Sequence, residues 1–273
     1  MAEKKRRRLL LKLGYDGNFF KGFQIQPNVI TVQGVLEQFL THFLNEKIRV
    51  SPAGRTDAGV HAWGQVVHFD CFNPIPCSKL FMALKKKFTR DIIIRHLWDV
   101  PTGFHARYDS SGKTYIYIIH PIKKGRIVTP FQKGYEWQIE EYFNWNAVEI
   151  LLSRMQGEHE FRAFCKLETI TSNNRNTSQD PIKIKTRRTL QKIKRLKRDN
   201  RHYFIVMAKG FLRYQVRLII KAIYLVGTGQ CSIRRIIKLF EEPERAFLGE
   251  PSPAEGLYLW KVHYQPHPLL QDK

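Results

Sequence analysis

One aspartate in a glycine-punctuated loop is the clearest candidate for chemistry in this sequence. The segment GRTDAGVHA, residues 54–62, places Asp57 between Gly54 and Gly59. A carboxylate in such a loop can act as a nucleophile or as a general base. The alternative is ordinary turn chemistry, because Asp tolerates turn backbone and the two glycines supply conformational freedom. These residues alone leave both interpretations open.

Two other segments could supply partners for this carboxylate. Alternation along a strand predicts that Tyr115 and Tyr117 of KTYIY share one face. Arg213 and Arg217 are four residues apart in FLRYQVRLII, which predicts one face of a helix. Arg217 lies among apolar residues and would need an anion if partly buried, and pairing with Asp57 would hold that carboxylate ionised at neutral pH. Core packing for the tyrosines and a structural or phosphate-binding role for Arg217 remain alternatives.

The charge balance indicates a polyanionic partner. Lys and Arg number 46 against 24 Asp and Glu, which gives a formal net charge of +22. The aromatic fraction of 12% favours a partner with exposed bases over a lipid surface. No apolar run approaches membrane-spanning length, so we expect no membrane partner. A non-catalytic RNA-binding protein fits charge and aromatic content equally well, whereas a DNA-binding regulator lacks a recognisable motif.

The cysteines predict a reduced, cytoplasmic protein. There are four, far apart and with no CxxC pair. The basic N-terminus lacks the apolar core of a signal peptide, because Lys12 interrupts the apolar run. We expect no metal site, because the one imaginable zinc set has a spacing that matches no common finger. That set is His61, His68, Cys71 and Cys77.

The secondary-structure elements that must position these residues are predicted to occur in the same order in each half of the chain. In the first half, periodicity predicts strands over 8–15, 47–53, 65–71 and 91–100, with helices over 32–46 and 78–88. The second half repeats strand, helix, hairpin, helix and strand over 112–121, 144–157, 186–210, 211–229 and 256–264, with a further short helix at 233–242. Two β-α-β-β-α-β halves predict an α+β fold of two ferredoxin-like units, residues 1–105 and 106–273. Their mainly antiparallel sheets would flank a central cleft.

A basic hairpin dominates the second half. Leu190, Ile193 and Leu196 would keep an apolar face, so the segment is expected to be folded rather than a free tail. The alternative is a solvated edge strand guarded by lysines. The charge density favours phosphate contacts. The candidates are Arg187, Arg188, Lys192 and Lys194.

The segment GRTDAGVHA resembles the signature of the tRNA pseudouridine synthase A family. Other segments resemble family blocks in the same order over nearly the whole chain: YDGNFFKGFQIQPNVITVQGVLE, FHARYDSSGKTYIYII, MQGEHEFRAFC, GFLRYQVRLII and PSPAEGLYLWKVHY. Leu218 and Lys221 depart from the Asn and Gly usual in the family. The polar segment 168–181 looks like an insertion.

The resemblance implies the pseudouridine synthase fold and isomerisation of uridine to pseudouridine in the anticodon stem-loop of tRNA, near positions 38 to 40. It implies a homodimer and no organic cofactor. Asp57 would be the catalytic aspartate, acting on a flipped-out uridine as nucleophile at C1′ or as base at C2′. Arg217 would pair with Asp57, and Tyr115 would stack on the base and could serve a proton step.

The resemblance also implies substrate contacts around these three residues. Arg55 would help to hold the flipped nucleotide out of the stack, because the reacting sugar carbon is otherwise screened. Thr56 is counted with Arg55 among the substrate-binding residues. Leu257 or Leu259 would pack near the base.

Overall fold

The computed structural model describes residues 5–122, 133–140, 142–166 and 185–265. The predicted insertion at 168–181 lies outside the described residues. These residues contain ten strands: β1 Arg7–Tyr15, β2 Ser51–Pro52, β3 His61–Cys71, β4 Ile92–Val100, β5 Ser110–Ile122, β6 Trp137–Glu140, β7 Gly157–Glu160, β8 Arg187–Arg198, β9 Arg201–Ala208 and β10 Leu257–Tyr264. They also contain five α-helices: α1 Val32–Leu44, α2 Cys77–Lys87, α3 Trp145–Met155, α4 Gln215–Gly227 and α5 Ile233–Lys238.

The strands form one mixed, mostly antiparallel sheet. Its order is β4-β1-β3-β10-β5-β9-β8-β7, with β2 paired to β3 and β6 paired to β5. The pairs β3–β10 and β5–β6 are parallel. The α+β class is therefore confirmed. The ferredoxin-like units and the boundary between 105 and 106 stay predictions.

A short parallel contact joins a strand of the first half of the chain, β3, to its last described strand, β10. Tyr258 pairs with His61 and Leu259 with Ala62, while β10 pairs with β5 on its other side. Strands predicted for separate halves are thereby hydrogen-bonded into one sheet. This junction brings the loop before β3 beside β5.

Local signals explain where several elements begin and end. The Thr31 hydroxyl accepts a hydrogen bond from the backbone of Gly34 and caps α1, as its sequence position predicts. The Ser232 hydroxyl caps α5 in the same way. The strand predicted over 47–53 is realised only as Ser51–Pro52, and proline lacks the N–H needed to extend a ladder on both sides.

The core is apolar and continuous across the sheet. Leucines on both faces of β1 are buried, because both faces of this strand are covered by the rest of the protein. Helix α2 packs against β4, and α3 packs against α4 and β8. Pairing with β9 and β10 holds β5, and packing on α3 holds α4; these two elements carry the candidate tyrosine and arginine.

Candidate active site

The loop between β2 and β3 carries Asp57 on a tight turn. The Val60 N–H donates to the Asp57 carbonyl oxygen over 3.2 Å, and Gly59 has a φ of +77°. Gly22, with a φ of +92°, approaches so closely that a methyl group there would lie 3.1 Å from the Thr56 carbonyl oxygen. The turn interpretation is thus correct for the backbone, and it leaves the Asp57 side chain available for chemistry.

Side chains from β1 and β3 anchor the same loop. The hydroxyls of Thr56 and Tyr15 share a hydrogen bond of 2.7 Å, and the Gln65 amide donates to the Gly54 carbonyl oxygen over 2.8 Å. Burial raises the pKa of Tyr15 to about 12, so this hydroxyl stays protonated at neutral pH. The Thr56 hydroxyl therefore helps to hold the loop, and its role as a substrate contact stays a prediction.

Arg217 reaches Asp57 from the first turn of α4. Its Nη1 lies 3.6 Å from Asp57 Oδ2, and its Nε donates to the Ser252 carbonyl oxygen over 2.6 Å. The predicted juxtaposition of Asp57 and Arg217 is present. The prediction that Arg213 shares this helix is wrong, because Tyr214 has a left-handed backbone with φ of +62° and α4 begins at Gln215.

Two opposing effects set the charge on Asp57. Burial raises the pKa of the Asp57 carboxyl above its ordinary value, while Arg217 and then Arg213 lower it. Arg217 therefore favours the ionised form, as the sequence predicted, and Arg213 acts in the same direction, but burial has the larger influence. Because desolvation outweighs the arginines, the Asp57 carboxylate is more basic than one in water.

Tyr115 stands on β5 with its ring buried. The ring meets Phe211 edge to face, with 5.1 Å between centroids, and Leu259 is its partner on β10. Burial, with smaller effects from Tyr15 and Asp57, raises the pKa of Tyr115 far above its ordinary value. Its hydroxyl therefore stays protonated at neutral pH and can donate a hydrogen bond.

A cavity of about 1080 Å³ connects these residues. Of the predicted site residues, its walls contain Arg55, Thr56, Asp57, Tyr115, Arg188, Arg217 and Leu257. Leu259 is fully buried and does not line the cavity, so Leu257 is the leucine placed to touch a ligand. Arg187, Lys192 and Lys194 lie outside the cavity, although Arg187 borders a smaller one of about 380 Å³ that shares Arg188.

The predicted hairpin forms from β8 and β9. Leu190 and Ile193 are buried as expected, but Leu196 is 46% exposed. A register shift between Leu190 and Lys192 places Ile193 and Arg195 on the same inner face as Leu190, which leaves Leu196 on the outer face. The prediction for Leu196 is wrong for this reason.

Arg195 is held within the protein. Its Nε donates to Glu149 over 2.6 Å, and its guanidinium lies 4.7 Å from the centre of the Trp145 ring. Lys192 is exposed and points away from these contacts. The outer face of β8 is thus the one that remains basic.

Three cationic wall residues were not indicated by the sequence pattern. Lys21, Lys113 and Arg107 all line the cavity. Lys113 could have been found, because it lies two residues before Tyr115 and so shares its strand face. Arg107 lies in a loop, where no periodicity indicates direction.

Within the part of the chain that the structure describes, no cluster of three or more His, Cys, Asp or Glu side chains could hold a metal ion. The same residues contain no helix long and apolar enough to cross a membrane.

The side chains of the site indicate a class of enzyme. An ion-paired carboxylate, a buried tyrosine hydroxyl and several arginines in one cavity suit acid–base or nucleophilic chemistry on a polyanionic substrate. The sequence model of the tRNA pseudouridine synthase family matches residues 14–109 and 151–265.

Individual relatives match over nearly the full length. A tRNA pseudouridine synthase A from Geobacillus sp. (strain WCH70) is 37% identical over 94% of this chain and 98% of its own. One from Staphylococcus aureus (strain MRSA252) is 34% identical over 97% of this chain and 95% of its own. The chain therefore belongs to the tRNA pseudouridine synthase family, a family of isomerases.

Proposed function

We propose that this protein isomerises uridine to pseudouridine in the anticodon stem-loop of tRNA, at positions 38 to 40, with Asp57 as the reacting carboxylate. The observation that carries the proposal is the convergence of Asp57, Arg217 and Tyr115 on one cavity in a member of this family. The formal charge of +22 supports a polyanionic substrate.

The reaction rearranges bonds without adding atoms. The bond between uracil N1 and ribose C1′ breaks, the base rotates, and a bond forms between C5 and C1′. C5 loses its proton and N1 gains one. Asp57 starts this sequence either by attacking C1′ or by taking the C2′ proton, and both routes need an ionised carboxylate.

The neighbouring residues hold the reacting groups. Arg217 orients Asp57 through its Nη1 while its Nε stays fixed on Ser252. Tyr115 stacks on the uracil, and its protonated hydroxyl donates a hydrogen bond to the base. Leu257 packs beside the base, and Leu259 supports Tyr115 from below.

The remaining basic residues hold the rest of the tRNA. Arg55 is exposed at the cavity wall and is placed to keep the target nucleotide out of the stack. Arg188 lines the cavity, whereas the side chains on the outer face of β8 contact phosphates farther along the stem. These side chains are Arg187, Lys192 and Lys194.

Assembly and architecture complete the proposal. The protein acts in the cytoplasm as a homodimer, with the tRNA lying across both subunits. Each subunit consists of two ferredoxin-like units, residues 1–105 and 106–273. Support for the first unit is the strand order β4-β1-β3, with β2 on the far side of β3.

The test is release of tritium from tRNA labelled at uridine C5. Wild-type protein should release one tritium per target uridine, and Asp57→Ala should release none while still binding tRNA. Transcripts with cytidine at positions 38 to 40 should release none with either protein. No release by wild-type protein that binds tRNA tightly would favour the non-catalytic RNA-binding alternative. Release from the cytidine-substituted transcripts would place the reaction elsewhere in tRNA.

A further inference from the structure

A buried lysine occupies the wall of the candidate active site. Lys113 lies on β5 two residues before Tyr115, on the same face, and is only 7% exposed. The Lys113 side chain lines the cavity together with Asp57 and Tyr115. The mechanism described above does not use it.

The contacts of Lys113 leave its charge largely uncompensated. Its Nζ donates to the Ser110 hydroxyl over 3.1 Å, and that hydroxyl donates in turn to the Arg107 carbonyl oxygen over 2.8 Å. Among the residues that the structure describes, no carboxylate forms an ion pair with Lys113. Its methylenes pack on Gly54, where an added methyl group would lie 3.3 Å from Lys113 Cε.

Among the described residues that line this cavity, Asp57 is the one acidic side chain, and it is already paired with Arg217. The side chains of Arg107 and Arg188 line the same cavity. Burial, followed by the charge of Arg107, lowers the pKa of Lys113 to about 8. An apolar side chain would fill this place with no cost of desolvation, whereas a buried ammonium needs a counter-charge.

The missing counter-charge has to come from the ligand. The substrate of the proposed reaction carries one anionic phosphodiester at each nucleotide linkage, and a lysine ammonium is a compact donor for such a group. Residues two apart on a strand are about 7 Å from each other. Contacts with the base at Tyr115 and with a phosphate at Lys113 are therefore compatible with a single nucleotide.

We propose that Lys113, with Arg107 beside it, binds the phosphodiester on one side of the uridine that enters the cavity. This subsite rests on the proposed function. It makes Lys113 a determinant of how the nucleotide is seated, because the same side chain packs on the loop that carries Asp57.

The test combines a lysine substitution with neutralisation of single phosphates. Equilibrium dissociation constants are measured in the Asp57→Asn background, where no turnover occurs. The tRNAs are full length and carry one neutral methylphosphonate, either 5′ to the target uridine, 3′ to it, or in the acceptor stem. The proteins are the parent, Lys113→Met, Lys113→Arg and the control Lys238→Met, whose lysine pairs with Glu242 on α5.

Lys113→Met should weaken binding of unmodified tRNA about tenfold, whereas Lys113→Arg and Lys238→Met should bind within about threefold of the parent. With a methylphosphonate at one of the two flanking linkages, the parent and Lys113→Met should bind equally. The acceptor-stem methylphosphonate should leave the tenfold difference in place. Lys113→Gln, which can still hydrogen-bond Ser110, replaces the Met variant if thermal melting shows that the latter is unfolded.

The phosphate subsite would be overturned if the tenfold difference between the parent and Lys113→Met persisted with both tRNAs, the one neutral at the 5′ linkage and the one neutral at the 3′ linkage. Binding of unmodified tRNA by Lys113→Met as tightly as by the parent would also overturn it. These binding ratios do not depend on turnover. Failure of the proposed isomerisation would instead appear as absent tritium release by the wild-type protein, so the two failures are distinguishable.

Discussion

The Asp57 carboxylate and the Arg217 guanidinium meet with 3.6 Å between Oδ2 and Nη1, although they come from different halves of the chain. The carboxylate stands on a loop held by β1 and β3, and the guanidinium stands on the first turn of α4. Burial raises the pKa of Asp57 and Arg217 opposes that rise. The ionisation of Asp57 therefore depends on how the loop before β3 and the first turn of α4 are packed together.

Removal of Arg217 should shift the pH dependence of the reaction. Because Arg217 lowers the pKa of Asp57, Arg217→Met should raise that pKa further, and the acid limb of kcat/KM should move to higher pH. At pH 7, kcat/KM should also fall at least about tenfold, since the carboxylate loses its orientation. Arg213→Met is the matched control and should move the limb less, because Arg213 has the smaller effect on Asp57. An acid limb that stays in place in Arg217→Met would show that Asp57 ionisation does not control the rate.

The hydroxyl and the ring of Tyr115 should contribute separately. Tyr115→Phe keeps the ring against Phe211 and removes only the protonated hydroxyl, so we expect kcat to fall about 10²-fold or more with little change in tRNA affinity. Tyr115→Ala should in addition weaken binding by about 1–3 kcal/mol through lost stacking. Single-turnover rates and dissociation constants measure the two effects. Normal turnover in Tyr115→Phe would leave Tyr115 with a stacking role only.

The loop that carries Asp57 should be sensitive to a methyl group at Gly22. Gly22→Ala combines a φ of +92° with a contact of 3.1 Å to the Thr56 backbone, so it should lower the free energy of unfolding by about 3 kcal/mol and reduce kcat. Gly229→Ala has a similar φ of +75° but nothing within 4 Å, and it should cost only about 1 kcal/mol with kcat unchanged. Urea unfolding and steady-state rates test both. Equal effects of the two substitutions on kcat would show that the Gly22 contact does not position Asp57.

The outer face of β8 should determine the salt dependence of tRNA binding. If Lys192 contacts a phosphate, Lys192→Gln should weaken binding uniformly among tRNAs and reduce the slope of log K against log salt by about 1. Arg195→Gln is the contrast, because Arg195 is bound to Glu149 and Trp145; it should lower stability and leave the slope unchanged. An unchanged slope in Lys192→Gln would remove Lys192 from the phosphate contacts.

Local chemistry explains what could be predicted from the sequence. The caps at Thr31 and Ser232, the alternation of β5 and the β8–β9 hairpin all depend on neighbouring residues, and each is present. The partner of Asp57 was also predictable, since a charged Arg217 among apolar residues needs an anion.

What the sequence could not indicate depends on distant contacts or irregular backbone. The parallel junction of β3 and β10 involves only two pairs of residues, and no local pattern predicts it. The shift after Leu190 turns Leu196 outward, and the left-handed backbone of Tyr214 removes Arg213 from α4. Periodicity assumes a regular element and fails where the element is interrupted.

The most direct test of the account is single-turnover release of C5 tritium from tRNA by a saturating excess of Asp57→Asn. Because the pKa of Asp57 is raised in the folded protein, its ionised form costs stability at neutral pH, so Asp57→Asn should melt at the same or a higher temperature than wild type. It should bind tRNA with an unchanged dissociation constant and release no tritium. Release at a rate near that of wild type would contradict the central claim that the Asp57 carboxylate performs the chemistry.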